Sequence, residues 1–239
     1  MLRFIMAATL LFSVNVASAT SISVVTEESA YQYTQNGQVT GPVTRLIRRV
    51  LDESGLDYHI KSYPWPRAYA MAKSTPNTMI YSIMRTKSRE NKFHWIGKIA
   101  SSRLAFYSKK SAPVDSLNSL NQLKEYSIGT VKDDMMHHYL KRHEFPKISI
   151  VNNLSHSIRN FEAGRYDLIV WDELSLKLSC MQKLLDCNTI KPVYEVSDEV
   201  PDLYFALSKS TPPAVVNEVT NAFLRVTAQK SINEIIFMQ

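Results

Sequence analysis

Two arginines follow a strand-like apolar run, and their chemistry suits an anionic ligand. The run covers 78–83, and Arg85 and Arg89 come soon after it. Cations at the carboxyl end of a buried strand lie where an α/β sheet receives its ligands. A guanidinium matches a carboxylate with two hydrogen bonds. The stretch therefore predicts an anion-binding turn, and the alternative is a surface turn in which Arg89 pairs with Glu90 or Asp134.

Other chemistries have little support in the sequence. There is no G-x-S-x-G elbow, no Cys–His pairing, and no glycine-rich loop of the kind that binds nucleotide phosphates. Glu27 and Glu28 are adjacent, so they would point to opposite faces of a strand and make a poor acid–base couple. Two Asp/His pairs within 133–138 have i,i+4 spacing but offer no set of three ligands, which favours a solvated helix face. We therefore predict no metal, no cofactor and no enzymatic activity.

The first 19 residues have the pattern of a secretory signal peptide. Arg3 precedes an apolar stretch, 4–16, that is too short to span a bilayer, and Ala17-Ser18-Ala19 is a small-residue cleavage site. An uncleaved anchor is the alternative. Cleavage would leave 220 residues (239 − 19) with a formal charge of +5 (27 basic minus 22 acidic residues). Scattered charge on an exported chain argues against nucleic acid as a partner, so we expect a periplasmic monomer.

Cys180 and Cys187 flank a six-residue segment. In an oxidising compartment a local disulfide is the default, and a free buried pair is the alternative. The spacing matches no zinc site.

Strand and helix patterns alternate along the chain in two blocks. The first block runs from 21 to 83 and the second from 126 to 171, with a polar, turn-rich segment at 111–120 between them. This order predicts α/β units with largely parallel sheets. The segments near 103–109 and 197–206 are candidates for strands that cross between the units, which would create a hinge beside a cleft.

The ordered motifs of the chain resemble those of the periplasmic solute-binding proteins of amino-acid-type ABC importers, solute-binding family 3. The motifs are Val24-Val-Thr-Glu-Glu28, Gly41-Pro-Val43, Tyr63-Pro-Trp-Pro-Arg67, Arg85-Thr-Lys-Ser-Arg89, Phe93-His-Trp-Ile-Gly97, Gly164-Arg-Tyr-Asp-Leu-Ile-Val-Trp-Asp172 and Leu203-Tyr-Phe-Ala-Leu-Ser-Lys209. The resemblance implies the bilobed α/β periplasmic-binding-protein fold of type II, with two lobes joined by a two-strand hinge. Lobe 1 is expected over 20–107, with 204–239 returning to it, and lobe 2 over 108–203.

The resemblance also implies a set of ligand-binding residues. By the family's pattern, Arg89 takes a ligand carboxylate and Asp172 takes a ligand ammonium, while Glu27 contributes from the opening strand. Asp172 also directly follows a strand, so a helix N-cap is its alternative role. Arg85, an extra cation in the turn, is a further candidate.

Three more residues are candidate cleft residues. Tyr31 and Trp65 could wall the cleft and stack on the ligand, although aromatic residues at such positions are more often core. Ser82, in the strand before the arginine turn, is the third.

The chain departs from the family's pattern at two places. Met84 stands where the family usually has a small hydroxyl residue, and Lys132-Asp-Asp134 stands where it usually has Gly, Ser or Thr. An aspartate at that place would repel a carboxylate, so a standard α-amino acid is a less expected ligand.

The predicted function is capture of a small polar solute, an amino acid or related carboxylate, for ABC-type transport. The expected partner is an ABC permease or, in the alternative, a membrane sensor. A second alternative is a dehydratase-like enzyme acting on a small carboxylic acid, for which Glu27, Asp172 and Glu173 are the candidate acids or bases.

Overall fold

The computed structural model describes residues 21–101, 103–196 and 201–237, and the predicted signal peptide, 1–19, lies outside them. Strands and helices alternate through most of these ranges. In chain order the elements are β1 (Ile22–Thr26), β2 (Tyr33–Gln35), β3 (Gln38–Thr40), α1 (Pro42–Ser54), β4 (Tyr58–Ser62), α2 (Trp65–Ser74), β5 (Thr78–Met84), β6 (Phe93–Ala100), β7 (Leu104–Lys109), α3 (Leu120–Leu123), β8 (Ile128–Val131), α4 (Met135–Arg142), β9 (Ile148–Val151), α5 (Leu154–Glu162), β10 (Leu168–Asp172), α6 (Glu173–Met181), β11 (Ile190–Glu195), β12 (Leu203–Ser208), α7 (Pro213–Gln229) and α8 (Ile232–Phe237).

The first lobe is built on a sheet with the strand order β4-β1-β5-β12-β6. Strand β1 runs parallel to β4 and β5, whereas β12 runs antiparallel to β5 and β6. Helices α1, α7 and α8 pack on one face, and α2 covers the other. Burial of both faces explains why β1 and β5 are almost continuously apolar.

The second lobe is built on a sheet with the order β11-β7-β10-β8-β9. Strand β8 runs parallel to β9 and β10, and β7 runs antiparallel to β10 and β11. Helix α4 packs with one core cluster of this lobe and α5 with another. The bilobed α/β architecture predicted from the sequence is therefore confirmed.

The chain passes between the lobes twice. It leaves the first sheet after β6 and enters the second at β7, and it returns from β11 to β12. Residues 102 and 197–200 of these two crossings are outside the described ranges. The predicted end of lobe 1 at 107 falls inside β7, which among the described residues pairs with strands of the second sheet.

Helix α1 shows how local sequence sets the element boundaries. Gly41 precedes it with a φ of 115°, and a Cβ at this position would lie 2.7 Å from the carbonyl oxygen of Tyr31. Pro42 begins the helix with its φ already suited to the first turn. Gly55 ends it in the left-handed conformation, with its N–H bonded to the carbonyl of Asp52.

The sequence did not predict the small hairpin of β2 and β3, nor β11 as a partner of β7.

Cys180 at the end of α6 is joined to Cys187 by a disulfide with a Cα–Cα distance of 5.7 Å. None of the helices in the described ranges is both long and apolar enough to cross a membrane.

Candidate ligand-binding cavity

A cavity of about 120 Å³ lies between the two lobes. This is smaller than the roughly 300–1,000 Å³ of sites for drug-sized molecules, so the cavity suits only a small solute. Six of the seven ligand-binding residues predicted from the sequence line it: Glu27, Tyr31, Trp65, Ser82, Arg89 and Asp172. Each of them lies in or close after a strand or at the start of a helix.

Arg89 presents a desolvated guanidinium to the cavity. Arg89 lies in the turn after β5, and only 4% of the residue is exposed. Burial lowers the pKa of its guanidinium. Nη1 donates to the carbonyl of Met84 at 3.3 Å and Nη2 to the carbonyl of Asp133 at 3.2 Å. The group lies 5.3 Å from the ring centroid of Trp65 and 5.1 Å from that of Tyr69. These contacts hold a planar cation in one orientation with donors still available.

Asp172 caps a helix and also lines the cavity. It is the N-cap of α6, where its Oδ1 accepts a hydrogen bond from the backbone N–H of Ser175 at 2.9 Å. The same oxygen accepts a hydrogen bond from the hydroxyl of Tyr31. Burial raises the pKa of Asp172. A capping carboxylate that also lines a cavity is available to a ligand cation.

Glu27 places a carboxyl group directly after β1. Its Oε2 atom is buried and has no hydrogen-bond partner among the described residues. Burial and the nearby charge of Asp134 raise the pKa of Glu27 to about 8. A buried carboxyl without a partner is costly unless the native state gains something from it, which makes it a candidate for ligand contact.

Ser82 reaches the cavity because of a bulge in β5. The register between β5 and β12 shifts here, and Ser82 has a φ of 56°, in the left-handed region. Its hydroxyl donates to Oε1 of Gln32 at 2.8 Å, and the amide of Gln32 donates to the carbonyl of Glu27 at 2.9 Å. Bulges that redirect a side chain are typical of binding sites.

Arg85, the seventh predicted residue, does not line the cavity. Its guanidinium is bound by both carboxylate oxygens of Glu90, at 2.5 and 2.9 Å, and lies over the rings of Trp95 and Tyr204. Arg85 therefore pairs within its own turn and lies outside the lining of this cavity, and its contact with a ligand stays a prediction.

The cavity has residues that the sequence reasoning did not propose as ligand contacts. Asp134, the N-cap of α4, accepts a hydrogen bond from the backbone of His137 at 2.6 Å, and burial raises its pKa to about 6. Gln32 and several apolar residues also line the walls. For Asp134, the sequence offered one signal of a place in the cavity, which was its departure from the family's pattern. No group of three His, Cys, Asp or Glu residues in the described ranges could hold a metal ion.

Hydrogen bonds cross the cavity from one lobe to the other. Tyr31 of the first lobe donates to Asp172 of the second. The indole N–H of Trp65 donates to the carbonyl of Asp133 at 3.1 Å, the same acceptor that Arg89 uses. The structure therefore has the two lobes in contact around the cavity.

No protein-family model matches the sequence, and no curated protein matches it significantly. Solved structures do match the fold. A histidine kinase sensor domain with similarity to periplasmic binding proteins is 16% identical with a TM-score of 0.78, over 90% of this chain and 93% of its own. The substrate-binding protein of an amino acid ABC transporter is 15% identical with a TM-score of 0.77, over 92% of this chain and 100% of its own.

A third similar structure is the arginine-, lysine-, histidine-binding protein of the thermophilic bacterium Geobacillus stearothermophilus. It is 17% identical with a TM-score of 0.76, over 92% of this chain and 96% of its own. These proteins are named as binding proteins or a sensor domain. At such low identity the likeness establishes architecture: the chain has the bilobed α/β fold of the periplasmic binding proteins.

Proposed function

We propose that this protein is a substrate-binding protein that captures a small polar solute, such as an amino acid or a related carboxylate, between its lobes. The observation that carries the proposal is the cavity itself, which lies between two lobes and is lined by a buried guanidinium and buried carboxyl groups. Arg89 would take a carboxylate of the solute, and Asp172 an ammonium group. Periplasmic location and a monomeric state belong to the same proposal.

Closure of the lobes would couple binding to a change in shape. Groups on both sides of the cavity come from different lobes, so a solute bound between them stabilises the closed state more than the open one. The bonds from Trp65 and Arg89 to the carbonyl of Asp133 already join the lobes. A solute on Arg89 would add to that contact.

Two arginines of one turn provide a matched test. Native mass spectrometry of the protein purified from its own cell envelope would identify a retained solute, and calorimetry would measure its affinity. Arg89→Ala should weaken binding by about 2–3 kcal/mol, as for loss of a buried charge-assisted hydrogen bond. Arg85→Ala should leave affinity unchanged because Arg85 lies outside the cavity and pairs with Glu90.

Two results would contradict the proposal. One is unchanged affinity in Arg89→Ala. The other is a protein that retains no solute and shows no thermal shift with any amino acid, small peptide or small carboxylate.

The names of the similar structures support two uses of the bound state. A substrate-binding protein of an ABC transporter supports import, and a histidine kinase sensor domain supports sensing. We propose import through an ABC permease as the first candidate. Uptake of the radiolabelled solute in cells with and without the gene separates the two, because only import requires the protein for accumulation.

The binding role also requires that the solute leave unchanged. Glu173 does not line the cavity, so Glu27 and Asp172 would be the remaining members of the predicted acid–base set. Incubation of the protein with its retained solute, followed by mass analysis of the solute, should recover the same compound. Conversion of the solute to another compound would instead support an enzymatic role.

A further inference from the structure

One backbone carbonyl joins the two lobes at the cavity. The carbonyl oxygen of Asp133, in the second lobe, accepts hydrogen bonds from the indole N–H of Trp65 at 3.1 Å and from Nη2 of Arg89 at 3.2 Å. Both donors belong to the first lobe, and both line the cavity. The orientation of this carbonyl therefore affects the contact between the lobes and the position of the buried guanidinium.

His137 holds Asp133 in the conformation that makes this contact. Asp133 has a φ of 59°, in the left-handed region, which a residue other than glycine adopts only at a cost in free energy. Its backbone N–H donates to Nδ1 of His137 at 3.0 Å. The imidazole is itself fixed in place, because His137 lies in the first turn of α4 and only 4% of the residue is exposed.

The bond between Asp133 and His137 requires a neutral imidazole. A ring nitrogen accepts a hydrogen bond only while it carries no proton, so the proton of the neutral ring lies on Nε2. That atom is buried and has no hydrogen-bond partner among the described residues. A second proton would go to Nδ1 and face the N–H of Asp133, donor against donor. Oδ1 of Asp133 lies 3.7 Å from Nδ1 and could accept that proton only after Asp133 moves.

The surroundings of His137 disfavour the second proton. Burial is the largest cause that lowers the pKa of His137 from 6.5, and the charges of Lys141, His138 and Lys132 lower it further, while Asp133 opposes them. Strand β8, which packs against α4, has no charged residue. The bonded arrangement therefore favours the neutral ring. Its contribution to the contact is complete well above pH 6.5 and is lost as pH falls below 6.5 through the lowered pKa.

Other titratable groups near this contact determine which controls are needed. The ring of His138 lies 5.6 Å from that of His137, and the charges of Arg89 and Lys92 act on it from the first lobe. In the cavity itself, burial raises the pKa of Asp134 to about 6 and that of Glu27 to about 8. A pH profile of the wild type alone would combine all of these groups.

We propose that His137 is a positioning residue whose neutral imidazole maintains the contact of Asp133 with Trp65 and Arg89, and that protonation of His137 releases the two lobes. As a control on the solute site, this inference rests on the binding role proposed above. The protein would then hold its solute near neutral pH and release it in acid.

The indole N–H of Trp65 reports the contact without any ligand. The chain has three tryptophans, so ¹⁵N-labelled protein gives one indole signal for each. The indole of Trp95 donates to the carbonyl of Glu90 within the first lobe and is the internal reference. In the full mature protein, exchange of the Trp65 indole proton with water, measured relative to that of Trp95, should become about tenfold faster or more between pH 7.5 and pH 5.

Matched variants assign the effect to His137. His137→Asn offers an acceptor near the place of Nδ1 that does not titrate, so exchange at Trp65 should stay slow at both pH values. His137→Phe keeps a ring without an acceptor, and exchange should be fast at both. His138→Gln is the control, because His138 is exposed and does not line the cavity, and it should follow the wild type. Asp134 and Glu27 are present in every variant, so the difference between the wild type and His137→Asn isolates His137.

Two results overturn the proposal. One is a relative exchange rate of Trp65 in the wild type that does not depend on pH, whether it is fast or slow. The other is the wild-type pH dependence retained in His137→Asn.

Affinity for the retained solute tests the link to binding. By calorimetry the wild type should bind that solute about tenfold more weakly at pH 5 than at pH 7.5, and His137→Asn should lose less. An equal loss in both proteins overturns the control on the solute site. A pH-dependent Trp65 contact in a protein that binds no solute supports the role of His137 and contradicts the binding role. Solute binding with a Trp65 contact that ignores pH does the reverse.

Discussion

The carboxyl group of Glu27 should make the free energy of unfolding depend on pH between 4.5 and 8. Burial and the charge of Asp134 raise its pKa from 4.5 to about 8 in the folded protein. The folded state then keeps a proton that the unfolded chain loses, so the stability from this group is complete below pH 4.5 and is lost as pH rises. One pKa unit corresponds to about 1.4 kcal/mol, so between pH 4.5 and 7 the loss is about 3 kcal/mol.

Urea unfolding of the wild type and Glu27→Gln at pH 4.5, 7 and 8.5 measures this contribution. The glutamine has a similar shape and does not titrate. Relative to the wild type, the unfolding free energy of Glu27→Gln should therefore rise by about 3 kcal/mol between pH 4.5 and pH 7. By pH 8.5 the shift from pH 4.5 should reach about 4 kcal/mol. Any fixed effect of the amide is the same at each pH and cancels from this shift.

Glu28→Gln is the control for charge alone. Glu28 is the next residue in the chain but is exposed to solvent, so its variant should follow the wild type at every pH. Parallel pH profiles for the wild type and Glu27→Gln would refute the reasoning. They would mean that the carboxyl group of Glu27 stays hydrated in the folded protein.

Three further predictions follow from contacts elsewhere in the structure. Tyr31→Phe removes the hydroxyl that donates across the cavity and should lower the unfolding free energy by about 1–3 kcal/mol in urea; an unchanged value would contradict that contact. Replacing Cys180 and Cys187 together with serine opens a short loop and should cost about 2–3 kcal/mol, whereas equal melting of the oxidised and reduced wild type would argue against it. Gly129→Ala would place a Cβ 2.1 Å from the ring of Tyr166 and should cost about 1–3 kcal/mol by calorimetry; a neutral effect would show that the ring can move.

Much of the architecture could be predicted from local sequence patterns. Apolar runs such as β5 and amphipathic spacing such as that of α1 encode their elements within a few residues. The direction of pairing could not be read in this way. Strands β7 and β12 run antiparallel to their neighbours, and this depends on residues far away along the chain.

The candidate site was predictable where it depends on strand ends. Glu27 and Arg89 follow β1 and β5, two parallel strands of one sheet, so both come to the same edge of that sheet. Asp172 ends β10 of the second sheet. The choice between Arg85 and Arg89 was not predictable from the turn sequence. Arg85 finds Glu90 five residues away, while Arg89 turns inward between two aromatic rings.

The sequence by itself determined the order of most elements and the two α/β units, because periodicity, caps and turns are local properties of the chain. Its resemblance to a known family indicated most of the predicted residues that line the cavity. Only the tertiary structure decided which charges meet. Glu27 and Asp134 are more than one hundred residues apart in sequence and belong to different lobes. Their closeness, the raised pKa values and the open acceptor at Glu27 arise from burial between lobes, which sums contacts from distant parts of the chain.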